Sequence, residues 1–436
     1  MQKIDGSQLI DEITLSDLEK AVDGKVSFGA CVHKIRKMSG FAFVILRTGK
    51  YILQSTYSKK DCDSDINSIC EGTYINVTGT VKREPRANYG YEITLSSFDV
   101  LSRPKEEYPL HVSSKKLGCS IETSMAHRSV ALRHPEQRAV FKIAEGVVSG
   151  FREFMLKNNF TEIHTPKIVA AGAEGGANIF KLKYFDKDAY LAQSPQFYKQ
   201  TCVAFFDRVF EIAPVYRAEK HNSTRHLNEY IGLDFEMGFI NDMHDVMAME
   251  TAMLKYLVKY LDENYKDELS LFDVALPVIN DIPSVTFFEA LDILGKSHNQ
   301  FDLDPTDEVK LCEYAKNNFD SEFIFVEKFP GLKRPFYAMD SKEDPKLAES
   351  FDLLFRGLEI TTGGQRIHDY DEQIAKLKRY NIEPCELGSY TDIHRYGMPP
   401  HGGLGIGLER LVMKLLGLQN IREASLFPRD IHHLDP

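Results

Sequence analysis

Arg208-Val-Phe-Glu-Ile-Ala-Pro-Val-Tyr216 and Ile231-Gly-Leu-Asp-Phe-Glu-Met-Gly-Phe239 are two apolar runs separated by the polar, basic stretch Arg217-Ala-Glu-Lys-His-Asn-Ser-Thr-Arg-His-Leu-Asn-Glu-Tyr230. Runs rich in β-branched and aromatic residues, bounded by polar punctuation, read as strands. The connection is longer than most hairpin tips, which marks it as more than a solvated turn. Period two along a strand puts Arg217 and Glu219 on one face, where they offer a cation to a phosphate and an acceptor to an exocyclic amine. A surface ion pair would account for the same two residues more plainly.

Working outward, Pro135 sits where a helix N1 proline belongs, and Val140, Ile143, Val147, Phe151, Phe154 and Met155 follow at helical spacing, predicting a helix to about Asn158. Further strands are expected at Phe323–Glu327, Phe351–Ile360 and Gly402–Ile406, and helices at Ser194–Phe206, Met243–Asn264 and Leu408–Leu416. Strands and helices do not alternate regularly, so the pattern predicts an α+β fold on a largely antiparallel sheet rather than a doubly wound one. Residues 265–320 read as a helical insertion without assigned chemistry, and the methionines of 243–264 read as core packing.

Two more segments carry chemistry. Gly402-Gly-Leu-Gly-Ile-Gly-Leu-Glu-Arg410 places four glycines at a strand-to-helix turn that ends in a cation, although it is neither Gly-x-Gly-x-x-Gly nor a P-loop. Close strand–helix packing is the plainer explanation of the glycines. In Phe351-Asp-Leu-Leu-Phe-Arg-Gly-Leu-Glu-Ile-Thr-Thr-Gly-Gly-Gln-Arg366, Asp352 and Glu359 stand among apolar residues and need partners. Mg²⁺ with substrate phosphates would provide them, because Mg²⁺ usually takes one or two protein carboxylates.

Towards the N-terminus, five short strand-like runs (26–37, 41–47, 51–56, 73–81 and 91–101) suggest a small barrel, and Phe28, Phe41, Phe43 and Tyr51 are either its stacking face or its core. Residues 25–105 hold 13 Lys/Arg against 7 Asp/Glu, whereas the whole chain carries 53 against 64 and a net charge of −11. One segment can thus meet a polyanion while the remainder cannot do so broadly. The boundaries expected are a short helix in 1–24, the barrel in 25–102, a Pro-, Lys- and Ser-containing linker in 103–130, and the main domain in 131–436.

Composition excludes several classes. The longest unbroken apolar run, Phe41 to Leu46, has six residues, against the ~20 that a membrane span needs. The first ten residues lack the basic and apolar regions of a secretory signal, so the expected location is cytoplasmic. Seven scattered cysteines without a Cys-x-x-Cys pair support neither a disulfide framework nor a zinc ribbon.

Taken with Phe160-Thr-Glu-Ile-His-Thr-Pro166, the 217–230, 351–366 and 402–410 segments resemble motifs 1, 2 and 3 of the class II aminoacyl-tRNA synthetases in their proper order. Glu174-Gly-Gly-Ala, Tyr190-Leu-Ala-Gln-Ser-Pro-Gln-Phe-Tyr-Lys199, Gly363-Gly-Gln-Arg-Ile-His-Asp369 and Leu426-Phe-Pro-Arg-Asp430 narrow the resemblance to the aspartate-specific branch of eukaryotic and archaeal type. The resemblance implies an N-terminal OB-fold that reads the anticodon and an antiparallel-sheet domain that makes aspartyl-adenylate and then aspartyl-tRNA.

By motif position, the resemblance implies that Arg217 holds the α-phosphate and the substrate carboxylate, with Glu219 on the adenine amine. His226 and Arg410 would take the γ-phosphate, and Tyr230 and Arg410 would sandwich the adenine. Asp352 and Glu359 would bind Mg²⁺ aided by Thr362, which also lies beside the aspartate. Gln193 and Asp234 match the positions that hold the substrate ammonium, Lys199 and Arg366 those that hold its side-chain carboxylate, and Glu174 a loop closing over it. Ala173 stands where the family has Ser. Arg36, Phe43, Gln54 and Glu84 fall on anticodon-contacting positions, and Pro166 ends the motif that builds the homodimer interface. The implied partners are tRNA(Asp), L-aspartate, ATP with Mg²⁺ and a second copy of the chain, with no zinc, haem, flavin or membrane.

Two cations aimed at one side chain call for an anionic substrate, because a neutral amide would leave both charges uncompensated. A tRNA-independent aspartate–ammonia ligase shares the catalytic pattern, but the barrel argues against it. A non-catalytic binding protein is disfavoured by the joint presence of Arg217, Glu219, Glu359 and Arg410.

Overall fold

Ala42, Val44, Leu46 and Thr48 face inward and Phe43, Ile45 and Arg47 outward, and this period of two recurs along the strands of the N-terminal region. The computed structural model describes residues 13–49, 51–172, 178–220 and 223–435, in two compact units, Met1–Pro135 and Glu136–Pro436.

In the first unit, β1 (Lys25–Lys37), β2 (Ala42–Thr48), β3 (Tyr51–Tyr57), β4 (Tyr74–Arg83) and β5 (Tyr91–Ser102) close into a barrel in the order β1-β2-β3-β5-β4. All pairings are antiparallel except β3 with β5. Phe28, Val44, Leu46, Ile75, Val77, Val81 and Leu95 fill its interior, joined by Leu18 from the helix Leu15–Lys20. That helix starts at a reciprocal cap in which Thr14 and Asp17 bond each other's backbone N–H. Phe28 is therefore core, whereas Phe41 is exposed and stacks edge-on against half-buried Phe43 at 5.3 Å.

Residues 103–130 differ from the linker expected. Leu110, Val112 and Ala131 are buried together with Tyr108, Leu117, Cys119 and Val130 packed on them, and the segment contains the short helices Ile121–Ala126 and Arg128–Ala131. Its few apolar residues follow no helical or strand period, which is why the sequence pattern conceals them.

In the second unit, β6 (Thr161–Glu162), β10 (Arg208–Tyr216), β11 (Glu229–Gly238), β12 (Ser284–Thr286), β13 (Phe323–Glu327), β14 (Ser350–Phe355), β15 (Leu358–Arg366) and β16 (His401–Gly407) form one sheet. Three further short strands, β7 (Ile168–Val169), β8 (Lys181–Tyr184) and β9 (Lys187–Leu191), form another. The large sheet runs β12-β13-β14-β15-β16-β11-β10-β6, antiparallel except at its two edge pairs. The helices Pro135–Lys157 and Met243–Asn264 contribute Val147, Phe151, Leu254 and Leu257 to its core beside Leu233, Phe235, Leu353 and Leu404.

The expected single strand 351–360 is instead a hairpin. Arg356 (φ 46°) and Gly357 (φ 79°) both have left-handed backbone, the tight two-residue turn that matches strand twist, and the chain reverses there into β15. The region expected to be a helical insertion contains the helices Lys266–Leu269, Phe287–Ile293 and Pro305–Phe319, but also β12, which lengthens the sheet.

Barrel closure constrains Gly79. A Cβ there would lie 2.6 Å from both Ile93 Cγ2 and the Thr94 carbonyl oxygen, a backbone atom that cannot rotate away. Gly79→Ala is expected to cost about 1–3 kcal/mol, read as a lower urea midpoint of the full chain.

Candidate active site

β11 and β16 lie side by side with Asp234 opposite Gly405 and Glu236 opposite Gly403. Residues two apart on a strand share a face, so both carboxylates rise from one side of β11, and glycine on the neighbouring strand leaves them room. A Cβ on Gly403 would come within 2.6 Å of the Glu236 carboxyl carbon, and one on Gly405 within 3.0 Å of Asp234 Oδ1. The glycines of 402–407 thus serve the space required by the strand beside them.

These carboxylates meet the two cations that the sequence singled out. Lys199, in the first turn of the helix Gln196–Phe206, donates to Asp234 Oδ1 (2.9 Å) and to the Leu404 carbonyl (2.8 Å), and stands 3.5 Å from Glu236 Oε2. Arg366, at the end of β15, donates to Glu236 Oε1 (3.0 Å) and the Gly403 carbonyl (2.9 Å). Glu236 is fully buried; burial would raise its pKa, yet Arg366 and Lys199 hold it below the ordinary carboxylate value. Burial pushes Asp234 upward against the pull of Lys199.

Contrary to what the sequence suggests, a neutral amide would not leave Lys199 and Arg366 uncompensated, since each already has a carboxylate partner. Glu236, which links the pair, was missed in the sequence, although the Asp-x-Glu spacing on a strand was the signal available.

The cluster lies at a cleft of about 840 Å³ lined also by Gln193, Arg217, Glu219, His226, Tyr230, Glu359, Thr362 and Arg410. The two ends of the 217–230 connection are tied together: Arg217 N–H donates to the Asn228 carbonyl (2.9 Å), and the Asn228 side chain donates through Nδ2 to the carbonyls of Arg217 (2.7 Å) and Glu219 (3.0 Å). Glu219 accepts from Asn178 Nδ2 at 3.2 Å. His226 Nδ1 lies 2.6 Å from the Ser223 hydroxyl, and burial together with nearby Arg410 lowers its pKa, favouring the neutral ring.

On β15 the register skips at Ile360, so that Glu359 faces Leu354 and Thr362 faces Asp352. This bulge turns Glu359 and Thr362, three residues apart, to the same side as Asp352. Thr362 Oγ1 donates to Glu359 Oε1 (2.8 Å), and Arg410 donates to the Glu359 carbonyl (2.8 Å) while its guanidinium lies 3.5 Å from the carboxylate. Despite burial, Arg410 and the Thr362 hydroxyl keep Glu359 below its ordinary pKa, whereas burial pushes Asp352 up to about 6.

Asp352 does not depend on a metal ion for its partner. Arg334 grips it bidentately (3.0 and 2.7 Å) and packs over the Phe329 ring at 3.9 Å. Among the described residues, no group of three or more His, Cys, Asp or Glu is placed to hold a metal ion. Two carboxylates on one hairpin face still fit Mg²⁺ brought in by a polyphosphate, since each Asp352 oxygen keeps a lone pair and Mg²⁺ usually takes only one or two protein carboxylates.

The other expected positions are dispersed. Arg36, Phe43 and Gln54 lie on the outer face of β1–β3, where Arg36 is directly opposite Phe43, and Gln54 donates to Glu92 at 2.6 Å. Glu84 follows β4 and is paired with Arg86 at 2.9 Å. Pro166 is exposed between β6 and β7. Ala173 and Glu174 lie outside the described residues. No helix among the described residues is long and apolar enough to cross a membrane.

A six-strand antiparallel core carrying carboxylates, arginines and a glycine-rich central strand beside one cleft defines a class. The family model of the class II tRNA synthetases (D, K and N) matches residues 120–431, and that of the OB-fold nucleic acid binding domain matches 26–101; the chain belongs to the class II tRNA synthetases. Among particular proteins, it is 42% identical to the aspartate–tRNA(Asp/Asn) ligase of Deinococcus radiodurans over 93% of this chain and 94% of that one. It is 38% identical to the aspartate–tRNA(Asp) ligase of Pyrococcus horikoshii over 97% and 98%. The asparaginyl-tRNA synthetase of P. horikoshii, solved with asparaginyl-adenylate, superposes with a TM-score of 0.91 at 30% identity, covering 98% of this chain and 100% of that one. The family uses ATP and Mg²⁺.

Beneath the cleft, Thr361 Oγ1 donates to Glu250 Oε1 (2.6 Å) of the helix Met243–Asn264, and burial pushes the Glu250 pKa from 4.5 up to about 8. A carboxyl raised in the folded state adds stability that is complete below pH 4.5 and drains away as pH rises through about 8. Glu250→Gln mimics the protonated form, so its Tm is expected to match the wild type near pH 4.5 and to exceed it at pH 9. Thermal melts across that range check this.

Proposed function

We propose that this chain activates L-aspartate with ATP to aspartyl-adenylate and pyrophosphate, then transfers the aspartyl group to the 3′-terminal adenosine of tRNA(Asp). The observation that carries the reading is the buried Lys199–Asp234–Glu236–Arg366 cluster opening onto a cleft that also presents Arg217, Glu219 and Arg410. The aspartate–tRNA ligase names borne by relatives at 38–42% identity support it.

In the first step the α-carboxylate of aspartate attacks the α-phosphorus; a carboxylate O–P bond forms and the P–O bond to pyrophosphate breaks. The nucleophile is already an anion, so no general base is required. Arg217 holds the α-phosphate beside the attacking carboxylate, and Arg410 neutralises charge as it moves to the leaving group. Glu359, with Asp352 and Thr362, would hold Mg²⁺, which would supply positive charge to screen the phosphates. Glu219 accepts from the adenine amine, Tyr230 and Arg410 enclose the ring, and neutral His226 donates a hydrogen bond to the γ-phosphate.

Gln193 and Asp234 take the substrate ammonium, and Lys199, Arg366 and Thr362 its carboxylate end. Lys199 and Arg366 are already paired, so selection of aspartate over asparagine rests on donor geometry. Lys199 and Arg366 present only N–H donors there, and an amide nitrogen would face them as a donor without an acceptor. Arg36, Phe43, Gln54 and Glu84 meet the anticodon loop, with Phe43 stacking on a base. The working form is a cytoplasmic homodimer joined near Pro166, with no zinc, haem or flavin.

Aspartate-dependent ATP–pyrophosphate exchange with Mg²⁺, followed by charging of aspartate and asparagine tRNA transcripts, tests the proposal. Exchange with aspartate and not asparagine is expected, together with charged tRNA(Asp). No exchange would overturn the reading, and exchange without charging would point to an ammonia ligase. Arg217→Ala is expected to slow exchange by about 10²–10³-fold, the range seen when one donor to developing charge is removed.

A further inference from the structure

Glu308 belongs to the helix Pro305–Phe319, in the insertion to which no chemistry has been assigned. Glu308 is 5% exposed, yet its carboxylate reaches two separate walls of the cleft. Both of its oxygens accept from Arg225 Nη2, at 2.6 and 2.7 Å, and Oε2 also accepts the backbone N–H of Glu359 at 2.8 Å. Arg225 lines the cleft directly before His226, whose ring is held in turn by Ser223. Glu359 sits beside the Ile360 bulge, where the regular ladder to β14 is interrupted. Its N–H therefore has a side-chain acceptor supplied from the insertion.

We infer that Glu308 is a positioning residue for the nucleotide, fixing Arg225-His226 and Glu359 relative to one another. The inference rests on the proposed ATP-dependent reaction and deepens it. A buried carboxylate satisfied by a guanidinium and an amide N–H is held in one geometry, and loss of its charge releases both partners. A glutamine cannot reproduce the arrangement. Its one oxygen could take the Oε2 place, but its amide nitrogen, a donor, would then replace the oxygen that accepts from Arg225 Nη2 at 2.6 Å, and the charge facing the guanidinium is lost. Lys199 donates to Asp234 and the Leu404 carbonyl, and Arg366 to Glu236 and the Gly403 carbonyl, a set of partners apart from the Glu308–Arg225 pair, so the effect should fall on ATP rather than on aspartate.

The test measures equilibrium binding of MgATP and, separately, of aspartate by calorimetry on the full-length chain, for wild type, Glu308→Gln, Arg225→Met and the double variant. Each variant's melting temperature is recorded alongside. The expected result is a tenfold or greater rise in the MgATP Kd for Glu308→Gln with the aspartate Kd within twofold. In the double variant the two losses should be less than additive. An unchanged MgATP Kd in a folded Glu308→Gln protein would overturn the inference, as would equal losses for both ligands. Should Glu308→Gln not fold, Arg225→Met decides by the same split between ligands. Binding is read without catalysis, so a wild type that binds MgATP but performs no exchange defeats the proposed function and leaves this inference standing.

Discussion

Everything at the Lys199–Arg366 end of the cleft depends on one carboxylate placed where no water reaches it. Glu236 stands between Lys199 and Arg366, drawn from a helix and from a different strand, and fixes the angle at which both present their remaining N–H groups. An isolated buried anion there would cost several kcal/mol, and two isolated cations would cost more. Together with Asp234 the four charges cancel, so the cluster can persist in an empty site with its donors already oriented. Preorganisation of this kind spares the reaction the cost of turning dipoles as charge develops.

Placing that cluster requires the neighbouring strand to give way. Gly403 and Gly405 leave the volume into which Glu236 and Asp234 project, and their backbone lets the carbonyls of Gly403 and Leu404 accept from Arg366 and Lys199. Glycine is usually unfavourable in a strand interior. Here the loss of intrinsic strand preference is offset by the ion pairs and carbonyl contacts that the absent side chains permit.

The fold was legible where period and punctuation agreed. The 208–216 and 231–239 runs, the proline-initiated helix from Pro135 and the basic barrel all follow patterns that local sterics impose. What stayed hidden depends on long-range pairing. The Arg356-Gly357 reversal lies inside one apolar run, and the 103–130 segment packs with apolar residues too sparse to show a period. At the site, motif resemblance pointed to Lys199, Arg366 and the Asp352/Glu359 pair. It gave no hint that Arg334 would occupy Asp352, because that partner lies eighteen residues away across a loop.

The Ile360 bulge has a consequence for how this segment can vary. Glu359, Thr362 and Asp352 share a side only because one extra residue is accommodated between Leu358 and Thr361. Removing a single residue there would restore a regular ladder and turn either the carboxylate or the hydroxyl towards the packed face of the sheet. The stretch from Leu358 to Arg366 can therefore exchange one side chain for another more readily than it can change length. Among homologous chains that keep the activity, gaps should cluster in the connections between strands and leave this nine-residue strand intact.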